Sequence, residues 1–588
     1  MSLVSSAQRQ PATMRTNTFH SRMKERLRSL HSVAAGTASR FKFLRRIPQG
    51  MDRMFQLSSS VLVLLLFSGS ALNVGLFASK FLPVRRECLM LPSVLGAGFV
   101  ALAAVGFLIW ITPAAKTSVS YVLLTTINIL ALRGNWKNSA AARRIIQDGW
   151  VTIAVWVTVS MGLLVACQLP VKRPPQLPDG MFVYKDWSLP VRIQVITSLP
   201  ADNQIPAFAA EYMARGTSFR EVRPLAPGQE VSNRPFLASL IYLPFRAAFG
   251  TTDPAPAPYP ALHYVGRDWP DTSKLISDRS YARFLAVAIP LNTSVLVVLA
   301  GLLRAMRVPY EKVVLIAFGA LSPYYLHHSL FTWPKNLAAF FIGLAALMML
   351  GRMPALIVGG ALALAYLAHP YAVVFFASLA IAFFLHHVGA IRFIANSEAP
   401  DVHWGLRQTA ELFLFPVFVI AVWFSWTHLY LQIASDLIEQ NIGPILDLSA
   451  AVWARLANLI TVIVPLFLFP NESIPPPMRG HYIVNIMSSV GLVPLLMIPI
   501  AFVYGIRSYP VLLLWFVSVP ALLLAGAFGE VGARLHLHGF QAIAPMLLAL
   551  AMFTLHQLFG ARAVLVAAIV QIPIGLYLLL THAIEVFE

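Results

Sequence analysis

Long apolar runs follow one another along this chain and are interrupted once, at length, by a polar block over residues 169–280. Ahead of the block, clear runs occupy 55–77, 91–112 and 150–168. Behind it they occupy 281–303, 311–328, 336–351, 354–369, 371–388, 410–430, 484–505, 510–528, 540–557 and 562–581. A hydrocarbon layer of ~30 Å is crossed by roughly 20 helical residues. Inside it only a helix or a closed barrel satisfies every backbone N–H and C=O. The pattern predicts an all-α polytopic membrane protein with about 13 transmembrane helices and a mixed outer-face loop domain between the early and late helices.

Three stretches are set aside from the crossings. Residues 118–133 are short and hold Thr125, Thr126 and Asn128. Counting them would make four crossings before the block and put the N-terminal end outside; leaving them out keeps it inside but exposes Lys80, Arg85 and Arg86. Residues 234–250, interrupted by Pro244 and Arg246, read as an interfacial helix lying on the membrane. Residues 456–470, with Pro465 and Pro470, read as a partly inserted segment buried against protein.

The expected organisation is a basic, disordered cytoplasmic tail (1–54), N-terminal transmembrane helices (55–168) and a large extracytoplasmic loop with interfacial helices (169–280). Central transmembrane helices (281–430), a second extracytoplasmic loop (431–483) and C-terminal transmembrane helices (484–588) follow. Placing 169–280 outside puts Arg304, Arg307, Lys312, Arg352, Arg392, Arg407, Arg507 and Arg562 on the cytoplasmic side, as the positive-inside rule requires.

Composition agrees. Only 12% of the 588 residues are charged and 58% are hydrophobic, which excludes a soluble globular domain. The formal charge of +19 resides mostly in the tail and short loops, and the polar block lacks the aromatic-and-basic pattern that binds nucleic acid. Two cysteines, Cys88 and Cys167, make neither a disulfide framework nor a metal-ligand spacing.

The predicted outer face collects acids mainly from the first loop and cations mainly from later ones. Asp186 and Asp202 come from the block, Lys335 and His369 from short turns, Arg479 and His481 from the second loop, and Arg534 and His538 from the last. Such a set could hold a lipid phosphate beside a carboxylate base. Asp436 and Glu439 lie one helical turn apart, and His536 and His538 have a spacing that ligates metal in an extended strand. No metal ligand or cofactor is assigned, and a divalent metal is left open.

Several of these residues stand in a recognisable context. Asp186-Trp187, the stretch through Ile193, and Leu199-Pro200 just before Asp202 resemble the first outer loop of bacterial GT-C superfamily glycosyltransferases. Phe331-Thr332-Trp333-Pro334-Lys335 ahead of an apolar helix, Ala368-His369-Pro370 in the next hairpin, and His538-Gly539 before the penultimate span are similar to recurring features of the same proteins. The Asp-Glu pair common in the protein-mannosyltransferase branch is absent after the first span, so branch and acceptor are left open.

The resemblance implies a multi-spanning enzyme of the bacterial inner membrane, its active site facing the periplasm. It would move a sugar from a polyprenyl-phosphate donor to an envelope glycan or lipid acceptor. A carboxylate takes the acceptor's proton, for which Asp186 is the first choice and Asp202 the second. Fixed cations stabilise charge on the departing phosphate, for which Lys335, Arg479 and Arg534 are chosen, with His369, His481 and His538 as further substrate contacts.

Each residue also has an ordinary structural reading. Asp186 reads as a loop or cap carboxylate, Asp202 as a turn residue, Lys335 as an interfacial anchor, and His369 as a ring bonded to its neighbours. The alternatives in function are a transporter or flippase for an amphipathic substrate and a non-catalytic membrane scaffold. A transporter is expected to carry ionisable residues at the centres of its spans. Here only Arg283 and Glu411, near span ends, depart from centres almost free of charge.

Overall fold

A computed structural model describes residues 57–83, 86–112, 116–169, 205–220, 231, 234–249, 261–264, 267–270, 278–330, 332–388, 405–433, 491–508, 511–527 and 540–586. The fold belongs to the compact unit Ser59–Glu588. It is overwhelmingly α-helical. The first four helices are α1 (Leu57–Phe81), α2 (Glu87–Ile111), α3 (Lys116–Lys137) and α4 (Ser139–Ala166). The polar block contributes α5 (Ile205–Arg215), α6 (Leu237–Phe249) and an antiparallel hairpin, β1 (Ala261–Tyr264) against β2 (Arg267–Pro270), with Tyr264 opposite Arg267.

Beyond it come α7 (Asp278–Thr293), α8 (Val295–Ala305), α9 (Glu311–Ala320), α10 (Pro323–Leu330), α11 (Lys335–Leu350), α12 (Ala355–Ala368) and α13 (Ala372–His387). The last are α14 (Leu406–Tyr430), α15 (Leu492–Ser508), α16 (Val511–Ala527) and α17 (Phe540–Val586). By length and apolarity, six helices of the described residues can cross a membrane, or seven if the bent pair α9–α10 is one span. The chain is a multi-pass membrane protein.

The helices pass back and forth between two ends. At one, Arg86 donates to the Leu350 carbonyl (2.9 Å), and Arg304 reaches the Asp148 carbonyl (3.4 Å) and the Glu311 carboxylate (3.8 Å). This is the basic end. At the other, Trp110 meets Phe219, Phe236 and Trp426, and α5 and α6 dock there. Small residues bring the backbones together. A Cβ on Gly106 of α2 would overlap the Leu240 carbonyl of α6, and one on Gly98 would overlap that of Ala71 in α1.

Two of the stretches set aside behave differently from expectation. Residues 116–137 form one helix running beside α1. Asn73 donates to the Asn128 carbonyl (2.9 Å), Asn135 to the Asn73 carbonyl (2.8 Å) and Lys80 to the Gly134 carbonyl (2.7 Å). Asn73 of α1 thus answers two of its asparagines, while most of the helix is exposed and it is not among the helices apolar enough to cross a membrane. The segment read as lying on the membrane surface is instead packed within protein, with Leu237, Ile241, Leu243, Phe245 and Ala248 of α6 all buried. Its arginine, Arg246, is neutralised by Glu211. Residues 456–470 lie outside the described residues.

The helices differ in continuity. α7 and α8 run on through Ser294 as one span, Ser280–Ala305, whereas α9 ends in a π-helical turn (Leu315–Ala320) and α10 leaves it at 64°. Gly560, at φ +79°, divides α17 into two arms. Both arms return to the bent pair: Gln541 reaches His328 (3.4 Å), and a Cβ on Gly575 would touch the Leu321 carbonyl.

Candidate functional site

The end opposite the basic one gathers cations around an indole. Pro334 caps α11, so Lys335 is its first residue, with its N–H on the Trp333 carbonyl (2.6 Å). The Lys335 side chain folds back over Trp333, placing Nζ 4.9 Å from the ring centroid. Arg234, just ahead of α6, sets its guanidinium 4.4 Å from the same centroid. Both cations are buried, Lys335 at 2% exposure and Arg234 at 7%.

His369 ends α12 and its ring packs at a tilt of 52° against Trp333, centroids 4.8 Å apart. Its Nδ1 accepts the Tyr371 N–H (3.2 Å), so the neutral ring carries its proton on Nε2. The Tyr371 hydroxyl donates to the Lys335 carbonyl (2.6 Å), strapping the α12–α13 turn to the head of α11. Burial first, then the positive charges of Lys335 and Arg234, hold the imidazole well below the usual histidine range. The ring is neutral at pH 7, a hydrogen-bond donor beside two basic side chains. Together they form a preorganised positive field in buried, low-dielectric surroundings, suited to a phosphate or a developing oxyanion.

Behind this cluster a file of buried polar side chains leads into the bundle. Asn336 and Asn292 reach Ser329, at its hydroxyl (3.5 Å) and carbonyl (3.4 Å) respectively, and Ser160 bonds Thr293 (2.6 Å). Beside Arg234, the residues Phe236 and Leu237 line an apolar cavity of about 420 Å³ together with Trp110, Phe418, Trp423 and Trp426. Among the described residues, Glu211 of α5 is the deeply buried carboxylate of this end. Arg246 grips both its oxygens (2.5 and 2.8 Å) and Arg215 bonds one (2.6 Å). Held by two guanidiniums, it anchors α5 on α6.

Of the residues expected at the site, the structure brings Lys335 and His369 together. Asp186, Asp202, Arg479, His481, Arg534 and His538 lie outside the described residues, as do Asp436, Glu439 and His536. Among the described residues no group of three or more His, Cys, Asp or Glu could hold a metal ion. Sequence reasoning missed Arg234, whose one local signal is its position immediately before an apolar helix. It also missed Asn292, His328, Asn336 and Gln541, which look like ordinary residues of apolar spans until their partners are known. Comparison with protein-family models, curated proteins and solved structures gave no match for this chain.

Proposed function

We propose that this protein is an integral-membrane glycosyltransferase of the bacterial inner membrane, transferring a sugar from a polyprenyl-phosphate carrier to an envelope glycan or lipid on the periplasmic side. The observation that carries the reading is the convergence of Arg234 and Lys335 on Trp333, beside an aromatic-lined apolar cavity. Buried cations next to an apolar cavity match an amphiphile with an anionic head and a hydrocarbon tail. In this reading the acceptor hydroxyl attacks the anomeric carbon and the bond to the carrier phosphate breaks with inversion. The proton goes to Asp186, with Asp202 as second choice, while the leaving phosphate keeps the bond pair under the field of Lys335 and Arg234. His369 donates its Nε2 proton as a hydrogen bond. The remaining candidates, Arg479, His481, Arg534 and His538, would complete the phosphate and acceptor contacts.

In the topology we propose, α3 also crosses, although it is less apolar than the six helices counted above. It runs from the end that bears α5, where Lys116 bonds the Met213 carbonyl, to the end that bears Lys80. In this reading α3 adds one pass to the thirteen expected from the apolar runs, making four before the polar block, and Lys80 and Arg86 would face the cytoplasm.

A second reading, a flippase or transporter for a lipid-linked substrate, is favoured by one observation. The 64° bend between α9 and α10 accompanies buried Asn292, Thr293, Ser294, Ser322 and Ser329 in the bundle interior, polar groups of the kind that discontinuous helices gather at substrate sites. Full-length purified protein, supplied with polyprenyl-phosphate sugars, separates the two. The enzyme releases polyprenyl phosphate, Asp186→Asn lowers turnover about 10²–10⁴-fold, and Lys335→Gln or Arg234→Gln weakens donor binding. No release from any such donor, together with donor translocation in sealed vesicles that Asp186→Asn leaves intact, would refute the enzyme in favour of the carrier.

A further inference from the structure

The basic end of the bundle carries a second concave surface, remote from the cation cluster. The ends of α1, α2 and α4 enclose a cleft of about 480 Å³ whose lining includes Leu76, Leu82, Met90 and Ile145, with Lys80 and Arg144 at its rim. Lys80 is held there by the Gly134 carbonyl (2.7 Å) and the Phe77 ring (5.4 Å to its centroid). Gly134 permits this approach, because a Cβ at that position would overlap the Phe77 ring.

Around the cleft, Arg133, Lys137 and Arg143 are exposed, and no acidic residue occurs between Lys116 and Gln147. Exposed tryptophans mark the depth: Trp136 is 82% exposed and Trp150 59%, where indoles settle at lipid headgroup level. A neighbouring cleft of the same volume supplies a contrast. There Glu87, Asp148 and Glu311 offset Arg304, Arg307 and Lys312, so charge is balanced. The α1–α2–α4 cleft has an unbalanced positive rim over an apolar floor.

We infer that this cleft binds an anionic glycerophospholipid of the leaflet at the basic end, its phosphate between Lys80 and Arg144 and its first acyl carbons on Leu76, Leu82, Met90 and Ile145. Water over that floor is unfavourable, and a zwitterionic lipid would leave the surplus charge uncompensated. Cations at a membrane surface attract anionic lipid by about 1 kcal/mol each, roughly fivefold in affinity. The site is independent of the glycosyltransferase reading.

The test is tryptophan quenching of the full-length protein in vesicles containing brominated phosphatidylglycerol or brominated phosphatidylcholine at equal fractions. The Trp136 signal is taken as the difference between unaltered protein and Trp136→Phe. Brominated phosphatidylglycerol is expected to quench it at lower fraction than brominated phosphatidylcholine. Each of Lys80→Gln and Arg144→Gln should shift that fraction up about fivefold, whereas Arg307→Gln in the balanced cleft should not. The charge-keeping pair Lys80→Arg with Arg144→Lys should retain the preference, which separates loss of charge from loss of fold. Equal quenching by the two lipids, or a preference weakened as much by Arg307→Gln as by Arg144→Gln, overturns the inference.

Discussion

Replacing Glu211 by glutamine removes one charge from the joint between α5 and α6 with almost no change of shape. The carboxylate is 2% exposed, and its partners Arg246 and Arg215 are 12% and 19% exposed. It accepts three charge-assisted bonds, of 2.5, 2.8 and 2.6 Å. Glutamine keeps one acceptor and turns an NH₂ group against guanidinium N–H donors. Breaking a buried ion pair from one side costs about 3–5 kcal/mol, because the other charge stays in a poorly solvated place. Both arginines keep some contact with solvent, so the lower end applies, about 3 kcal/mol.

That cost falls on local opening of α5, whose last turn is also held to α3 by Lys116. Amide hydrogen exchange on the detergent-solubilised protein should speed up on α5 by about two orders of magnitude, with α17 unchanged. Adding Arg246→Gln should recover part of the loss by removing a buried cation along with its partner. Exchange on α5 accelerated by less than about fivefold, or accelerated equally on α17, would show that Glu211 is no anchor.

Three further outcomes follow from the same geometry. Because the folded His369 binds its proton less readily than the unfolded residue, the unfolded state takes up the extra proton as pH falls. Stability is therefore whole above the ordinary histidine value of about 6.5 and is lost progressively below it; thermal unfolding from pH 8 to 5 checks this, and His369→Gln should flatten the profile. Gly106→Leu should displace α6 from α2, since the obstructing atom is the Leu240 backbone carbonyl, at a cost of about 1–3 kcal/mol or more; a protease-resistance profile like that of the unaltered protein would count against it. Reporters inserted at Asn138 should read cytoplasmic and those at Thr112 periplasmic, whereas both would read the same side if α3 does not cross.

Local chemistry settled where most helices lie. The runs at 336–351, 354–369, 371–388 and 510–528 became Lys335–Leu350, Ala355–Ala368, Ala372–His387 and Val511–Ala527 within a residue or two at each end. An apolar run in lipid has one way to satisfy its own backbone, and that way needs no distant partner. The Pro334 cap and the place of His369 at a helix end were legible for the same reason.

What the chain alone could not show were the features that depend on a partner far along it. α3 looks too polar to join a bundle until Asn73 meets Asn128 and Asn135. The helix carrying Arg246 looks bound for the membrane surface until Glu211 meets it. Arg234 and Lys335 look like two unrelated interfacial cations until packing sets both against Trp333. Burying a polar or charged group is costly unless another group answers it, and the answering group is chosen by tertiary packing rather than by sequence neighbours.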